Sequence, residues 1–293
     1  MQIEIDSNSG FCYGVTKTIQ IAEEALSEGH PVYCLGEIVH NEEEVERLKS
    51  KGLVIIAPKD LAAIENSKVL VRAHGEPPAT YKQIGEHSNT LHEGTCPIVL
   101  VLQKKVRDAW NSLKSTNGQV IIYGKKGHAE VVGLAGQTSN EAIIISQEGE
   151  LDSIDFSKPI AIFAQTTQSK EGYDGIITEI KKRMSPFFSN VAIPLQITDS
   201  ICRHVSKRGE HLIEFSKKYE VIIFVSGTNS SNGKVLFEIC KKSNPNSYWV
   251  PNTGEVKQEW FSNTHSAGIC GATSTPQWLM EKVAEKIKDL TNN

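Results

Sequence analysis

The sequence predicts an α/β protein of three similar lobes, with mostly parallel sheets arranged around a central site. Strand-like and helix-like stretches alternate along the whole chain, the pattern that parallel sheets covered by helices require. Three cysteines, Cys12, Cys96 and Cys202, each stand at a strand-to-helix corner, spaced so that each can begin an α/β unit of roughly 90 residues. No long flexible linker or low-complexity tract interrupts the series. The expected lobes are 13–96, 97–194 and 195–293, with 1–12 as an N-terminal strand leading to the central site. Length alone favours about two domains for a chain of this size and allows three smaller ones.

The elements follow in order. Gln2 to Asp6 reads as a strand that Gly10-Phe11-Cys12-Tyr13-Gly14 closes, and a helix runs from Val15 to Ser27. Strands at Pro31 to Gly36, Leu53 to Ala57 and Lys68 to Arg72 alternate with helices at Glu42 to Ser50, near Asp60 and at Thr80 to Glu86. The short strand Thr90-Leu91-His92 leads to Gly94-Thr95-Cys96-Pro97, where Gly94 permits a tight turn and Pro97 suits the first turn of a long amphipathic helix reaching about Leu113. Strands at Gln119 to Tyr123, Ala142 to Ser146, Pro159 to Ala164 and Asn190 to Leu195 precede Cys202. A helix follows that cysteine, then strands at Val221 to Val225, Ser247 to Val250 and Ala267 to Cys270, and a closing helix from Gln277 to Leu290.

Composition excludes several function classes. Lys plus Arg number 31 against 35 Asp plus Glu, a net charge of -4, so there is no general basic field to hold nucleic acid or an anionic membrane. No run of about 18 apolar residues offers a membrane span, and the start lacks a basic or apolar leader. The chain is therefore expected to be cytoplasmic, a reducing compartment in which its six cysteines serve metal binding or catalysis rather than disulfides. Cys34, in the apolar strand Val32-Tyr33-Cys34-Leu35, and Cys240, on the apolar face of a helix beginning near Asn232, read as packing residues. No CxxC pair occurs, which argues against a zinc ribbon or a thioredoxin-type centre.

A cysteine at a helix N-terminus lies in the positive end of the helix dipole, which favours the thiolate that binds metal. Cys12, Cys96 and Cys202 are accordingly expected to converge on one iron-sulfur cluster. Ligands of α/β sheets gather at the carboxyl ends of strands, and those ends carry Val39-His40-Asn41, Arg72-Ala73-His74-Gly75, Gly127-His128-Ala129-Glu130, Gln165-Thr166-Thr167, Asn229-Ser230-Ser231-Asn232 and Cys270-Gly271-Ala272-Thr273-Ser274. Hydroxyl and amide side chains at glycine-rich helix starts suit phosphate oxygens, and a nearby diphosphate would favour the imidazolium form of the three histidines. Each residue also has an ordinary reading. His40, His74 and His128 also read as surface or capping residues, Ser230 and Ser274 as helix caps, Glu130 as a first-turn acid, Thr166 as a turn hydroxyl, and the three cysteines as core.

Taken together, Gly-Phe-Cys12-Tyr-Gly-Val, Val39-His40-Asn41, Ala73-His74-Gly75, Thr95-Cys96-Pro97, Gly127-His128-x-Glu130, Gln165-Thr166-Thr167, Ile201-Cys202, Asn229-Ser230-Ser231-Asn232 and Ser274-Thr275-Pro276 resemble the 4-hydroxy-3-methylbut-2-enyl diphosphate reductases, the LytB/IspH family. Nine short motifs, ordinary singly, occur in order over nearly the whole chain. The resemblance implies a trefoil of three lobes around one [4Fe-4S] cluster per chain, held by Cys12, Cys96 and Cys202 with one iron lacking a cysteine ligand. It implies diphosphate binding by His40, His74, His128, Ser230, Ser231, Asn232 and Ser274, proton supply by Glu130, and placement of the substrate hydroxyl by Thr166. The implied reaction is the last step of the methylerythritol phosphate route to isoprenoids, giving isopentenyl and dimethylallyl diphosphates with electrons from a ferredoxin or flavodoxin.

Two stretches depart from the family pattern. After Cys202 the common Ala-Thr and Asn-Arg-Gln are replaced by Arg203-His204-Val205-Ser206-Lys207-Arg208-Gly209, so the usual threonine hydroxyl is lost at Val205. Arg203, Lys207 and Arg208 read as a basic group that docks an acidic electron carrier. Before Ser274 the common Thr-Ala-Gly-Ala is Cys270-Gly271-Ala272-Thr273, and Cys270 is expected to be a spare thiol that does not bind iron. Two rival functions remain open at this stage. One is a zinc hydrolase using His128, Glu130 and a cysteine, whose His-x-Glu spacing lacks the helical i, i+4 pair of a zincin. The other is a non-catalytic anion-binding module in which every cysteine is core.

Overall fold

Val221-Ile222-Ile223-Phe224-Val225 and Ile160-Ala161-Ile162-Phe163-Ala164 are buried along their whole length. An all-apolar strand of this kind needs cover on both faces, which parallel sheets with flanking helices provide. The computed structural model describes residues 1–189 and 192–292, with the side chains of 205 and 206 outside the description.

The first stretch contains β1 (Gln2–Ile5), α1 (Tyr13–Ser27), β2 (Val32–Leu35), α2 (Glu42–Lys49), β3 (Leu53–Ile56), β4 (Lys68–Val71), α3 (Pro78–Glu86) and β5 (Thr90–Glu93). It is followed by α4 (Pro97–Leu113), β6 (Gln119–Tyr123), α5 (Ala129–Gly136), β7 (Ile143–Ile145), β8 (Ile160–Ala164), α6 (Lys170–Met184) and β9 (Leu195–Ile197). The last stretch is α7 (Arg203–Ser216), β10 (Val221–Val225), α8 (Ser231–Ser243), β11 (Ser247–Val250), β12 (Ser266–Gly271) and α9 (Gln277–Thr291). The segment expected as a strand from Asn190 falls partly on residues outside the description, and β9 lies later than expected, at Leu195–Ile197.

The fold comprises three parallel-sheet α/β lobes, in agreement with the sequence-based expectation. One sheet has the order β1-β12-β10-β11 and another β7-β6-β8-β9. In the remaining lobe β2 pairs with β3, Val32 opposite Leu53, and β4 pairs with β5, Lys68 opposite Thr90. The N-terminal strand is part of the last lobe's sheet, with Ile5 opposite Ile269 of β12. The chain divides into two compact units, one of residues 1–56 with 203–293, the other of 57–202.

Within 57–202 the strand period of two splits the core cleanly. Ile121, Ile160 and Ile162 face α6 through Tyr173, Ile176, Ile180 and Met184. Val120, Ile122, Ala161 and Phe163 face α4 and α5 through Leu102, Val106, Val131 and Leu134. The other unit repeats the plan: Ile223 and Ile269 pack on α9 through Leu279 and Val283, while Ile222 and Phe224 pack on α7 and α8 through Leu212, Phe215 and Leu236. Among the described residues no helix is long and apolar enough to cross a membrane.

Candidate functional site

Every polar corner singled out in the sequence follows the carboxyl end of a strand, where backbone carbonyls of the ladder run out and side chains take over. In the unit of residues 57–202, β4 ends at Val71 and delivers Arg72-Ala73-His74-Gly75. Gly75 has φ +70°, and a Cβ there would come within 2.6 Å of Gln103 Nε2 and 2.9 Å of Thr95 Cγ2, so the turn beside His74 requires glycine. Cys96 caps α4 with extended backbone, and its N–H donates to the Ala73 carbonyl at 3.0 Å, which joins the cysteine corner to the His74 corner. The His74 and His128 rings meet edge to face with centroids 5.2 Å apart.

His128 caps α5, its Nδ1 accepting from the Glu130 N–H at 3.2 Å. An accepting Nδ1 leaves the ring proton on Nε2 as the donor for a ligand. In this form the imidazole is neutral, so the expected cation would first have to give up the cap. Glu130 is only 2% exposed. Its Oε1 accepts from Thr166 N at 2.7 Å and its Oε2 from Thr166 Oγ1 at 2.8 Å. Burial pushes its carboxyl up to about 7, against the opposing pull of these two hydrogen bonds. A carboxyl balanced near neutrality can hold or release a proton at working pH. The Cys202 N–H in turn donates to the Thr166 carbonyl at 2.8 Å. Cys96, His74, His128, Glu130, Thr166 and Cys202 thus form one unbroken set of neighbours.

The other unit, 1–56 with 203–293, assembles a second set. Cys12 caps α1, and its N–H donates to the Thr273 carbonyl at 3.2 Å. Asn232 Oδ1 accepts from Thr273 N at 3.1 Å and Thr273 Oγ1 at 2.9 Å. The Asn232 side chain is therefore oriented with its NH2 as the outward donor, and Nδ2 is buried with no hydrogen-bond partner among the described residues. Such an atom costs about 1–3 kcal/mol unless a ligand satisfies it. Ser230 Oγ lies 3.3 Å from Ser274 Oγ, and Ser274 Oγ donates to the His40 carbonyl at 3.4 Å. Ser231 is the first residue of α8. A Cβ at Gly227 would collide with the His40 carbonyl oxygen and the Asn41 Cα, so the β10–α8 turn closes on the His40 corner only as glycine. Cys12, His40, Ser230, Ser231, Asn232 and Ser274 are brought together, with Thr273 as the link.

The ordinary readings hold for some residues and fail for others. Ser230 is the α8 cap, its Oγ accepting from Gly233 N at 2.9 Å, so the same oxygen serves the helix and lies within hydrogen-bond distance of Ser274. Ser274 caps nothing, because α9 begins at Gln277 with Pro276 before it. Cys34, Cys240 and Cys270 are fully buried, whereas Cys12, Cys96 and Cys202 are half-buried. Cys270 Sγ lies 3.9 Å from Cys240 Sγ, and burial holds its thiol well above the usual range, which is unsuited to a metal thiolate. The basic docking group requires a correction at Arg208, which is 9% exposed and donates to the Gly10 and Asn8 carbonyls. Arg203 and Lys207 remain exposed. The Val205 side chain lies outside the described residues.

Two residues with site contacts were not assigned roles from sequence. Thr273 immediately precedes Ser274 in the β12 corner. Gln165 accepts from Lys125 N at 3.1 Å and donates to Thr167 Oγ1 at 2.9 Å, bracing the β6 corner against the β8 corner. Their signal was position alone, immediately after a buried strand.

The residues fit an iron-sulfur centre in type and setting: three half-buried cysteines at helix starts, two of them caps whose sulfurs make no capping bond. A family model described as LytB protein matches residues 3–288. The 4-hydroxy-3-methylbut-2-enyl diphosphate reductase of Porphyromonas gingivalis is 47% identical over 290 residues, covering 98% of this chain and 99% of that protein. The protein of the same name from Bacteroides fragilis is 46% identical over 288 residues, covering 98% of each. Among solved structures, one described as (E)-4-hydroxy-3-methyl-but-2-enyl diphosphate reductase, the terminal enzyme of the non-mevalonate pathway, matches with a TM-score of 0.72 at 30% identity, over 99% of this chain and 100% of that one. The Plasmodium falciparum E-1-hydroxy-2-methyl-but-2-enyl-4-diphosphate reductase shares the fold with a TM-score of 0.83 at 23% identity, over 98% and 88% of the two chains.

Proposed function

The chain belongs to the LytB family, and we propose that Cys12, Cys96 and Cys202 hold its [4Fe-4S] cluster, one per chain, with one iron lacking a cysteine ligand. It is an oxidoreductase that reductively dehydroxylates 4-hydroxy-3-methylbut-2-enyl diphosphate to isopentenyl and dimethylallyl diphosphates, the last step of the methylerythritol phosphate route. The reaction consumes two electrons and two protons; one proton leaves with the hydroxyl oxygen as water, and the other ends on either of two allylic carbons. When bound, the cluster supplies electrons and, at the open iron, a Lewis acid that weakens the carbon-oxygen bond.

The observation that carries the assignment of the protein's own groups is the Glu130–Thr166 pair, a buried carboxyl near neutrality hydrogen-bonded to a hydroxyl. Thr166 Oγ1 orients the substrate hydroxyl, and Glu130 passes a proton to it through or beside that oxygen. His128 and His74, whose rings touch, donate to the diphosphate, His128 through Nε2. His40, Ser230, Ser231, Asn232 and Ser274 supply the remaining donors, and the unsatisfied Nδ2 of Asn232 is the strongest single support for an anion there. Binding the diphosphate away from the reacting carbon fixes orientation and excludes water.

Asn232→Ala should reduce kcat/KM ten- to a hundredfold in an anaerobic assay, the worth of about 1.5–3 kcal/mol for a hydrogen bond to a charged group. Unchanged kcat/KM with an unchanged cluster spectrum would remove Asn232 from the diphosphate site.

The electron donor is a ferredoxin or flavodoxin, and the location is cytoplasmic, where thiolate ligands stay reduced. Arg203, His204 and Lys207 surround a depression of about 600 Å³ that has Cys12 in its wall, a basic approach to a cluster ligand in a chain of net charge -4. Reversing Arg203 and Lys207 to Glu should slow reduction by the carrier protein at low salt and leave reduction by dithionite unchanged. Equal rates with the carrier would place its docking elsewhere.

A further inference from the structure

Arg208 occupies an unusual position for a charged residue. Its spacing from Leu212 and Phe215 puts it on the buried face of α7, and it is 9% exposed. Its fork spans two carbonyls of one loop, Nη1 donating to Gly10 O at 2.9 Å and Nη2 to Asn8 O. The same loop is tied at its other polar atoms. Asp6, 2% exposed, accepts from Asn8 N at 3.1 Å and Ser9 Oγ at 2.7 Å, and its Oδ1 lies 2.8 Å from His211 Nε2. Ser9 Oγ also accepts from Gly271 N at 3.0 Å. Gly10 has φ +107°, so the backbone turns sharply just before Cys12. Arg208 and Cys12 line the same depression.

Neutral residues could close such a loop. A buried guanidinium stays ionised and is costly to desolvate, so its charge needs a counterpart. Asp6, which also accepts from Asn8 and Ser9 and lies beside His211, is one counterpart that favours the charged guanidinium, and the Cys12 sulfur is a second. A thiolate-bound iron-sulfur centre at Cys12, which gains negative charge on reduction, is a fitting counterpart.

We propose that Arg208 is a positioning residue for Cys12, its guanidinium clamping the Asn8–Gly10 carbonyls while its fixed charge raises the reduction potential of the cluster that Cys12 ligates. The proposal rests on the iron-sulfur reading of Cys12. The clamp sets the geometry of one ligand, and the charge favours the reduced form over the oxidised one. The two effects separate by substitution, because glutamine removes the charge, whereas lysine keeps it but cannot reproduce a planar two-carbonyl fork.

The test is spectroelectrochemical titration of the anaerobically purified protein, together with the rate of cluster bleaching by an iron chelator. Arg208→Gln is expected to lower the equilibrium constant for one-electron reduction about tenfold, a downward shift of about 59 mV, and to bleach several-fold faster. Arg208→Lys is expected to keep the wild-type potential and still bleach faster. A wild-type potential in the glutamine variant overturns the charge role, and wild-type bleaching in the lysine variant overturns the clamp. If the glutamine variant does not fold, a lysine variant with a potential lowered like that expected for glutamine overturns the charge role instead. Cys12→Ser keeps the two failures apart: a wild-type spectrum in that variant defeats the ligand assignment itself, whereas loss of the spectrum there with wild-type behaviour of both Arg208 variants defeats only the proposal for Arg208.

Discussion

Glu130→Gln is expected to retain the cluster spectrum and diphosphate affinity while losing at least a hundredfold in turnover, the usual worth of a positioned general acid. Glutamine keeps the shape of the Glu130–Thr166 contact but carries no transferable proton. In the unsubstituted chain, turnover limited by this step should fall as pH rises through about 7, because the protonated carboxyl is the competent form. The profile should flatten in the variant. Near-normal turnover in Glu130→Gln would remove the residue from the mechanism.

The same substitution makes a stability prediction of opposite sense. The Glu130 carboxyl is raised from 4.5 to about 7 in the folded chain. Between those values the folded state holds a proton that the unfolded state has released, so the contribution of this group to stability falls as pH rises through the window. Above about 7 the carboxylate is buried at a cost of about 3 kcal/mol, the equivalent of that displacement. Glu130→Gln should therefore be the more stable protein in denaturant titrations at pH 8, with the advantage shrinking towards pH 5. An inactive but stabilised variant is the signature of a residue strained for function.

The second large effect concerns the sulfurs. Serine at Cys12, Cys96 or Cys202 should abolish most cluster absorption and nearly all activity, because a hydroxyl is a poor substitute for a thiolate on iron. Cys270→Ser and Cys240→Ser should retain the absorption, since both side chains are fully buried in the core of α7, α8 and β12. Loss of absorption on Cys270→Ser with retention on Cys96→Ser would reverse the assignment.

The strands were legible because parallel, doubly covered sheets demand unbroken apolar runs, and the runs within Gln119 to Tyr123, Val221 to Val225 and Ser247 to Val250 form strands with the expected bounds. Helix starts were less so. The α1 start moves to Tyr13 because Cys12 itself is the cap, and α3 starts at Pro78 because proline is suited to a first turn. For the site, residue types at strand ends pointed to the chemistry, but pairings depend on tertiary contacts that no local pattern carries. That Thr166 binds Glu130, that Thr273 links Cys12 to Asn232, and that Ser274 lies beside Ser230 rather than capping α9 all come from packing between segments distant in sequence. Arg208 was misread as a surface charge because its basicity outweighed a helical spacing that already placed it with Leu212 and Phe215.

The most direct test of the central claim is Mössbauer spectroscopy of iron-enriched protein purified without oxygen, recorded before and after adding the hydroxylated diphosphate. A [4Fe-4S] centre held by Cys12, Cys96 and Cys202 predicts one iron distinct from the rest, whose signal alone changes on adding substrate. Equivalent irons indifferent to substrate, or a colourless protein carrying stoichiometric zinc, would contradict it.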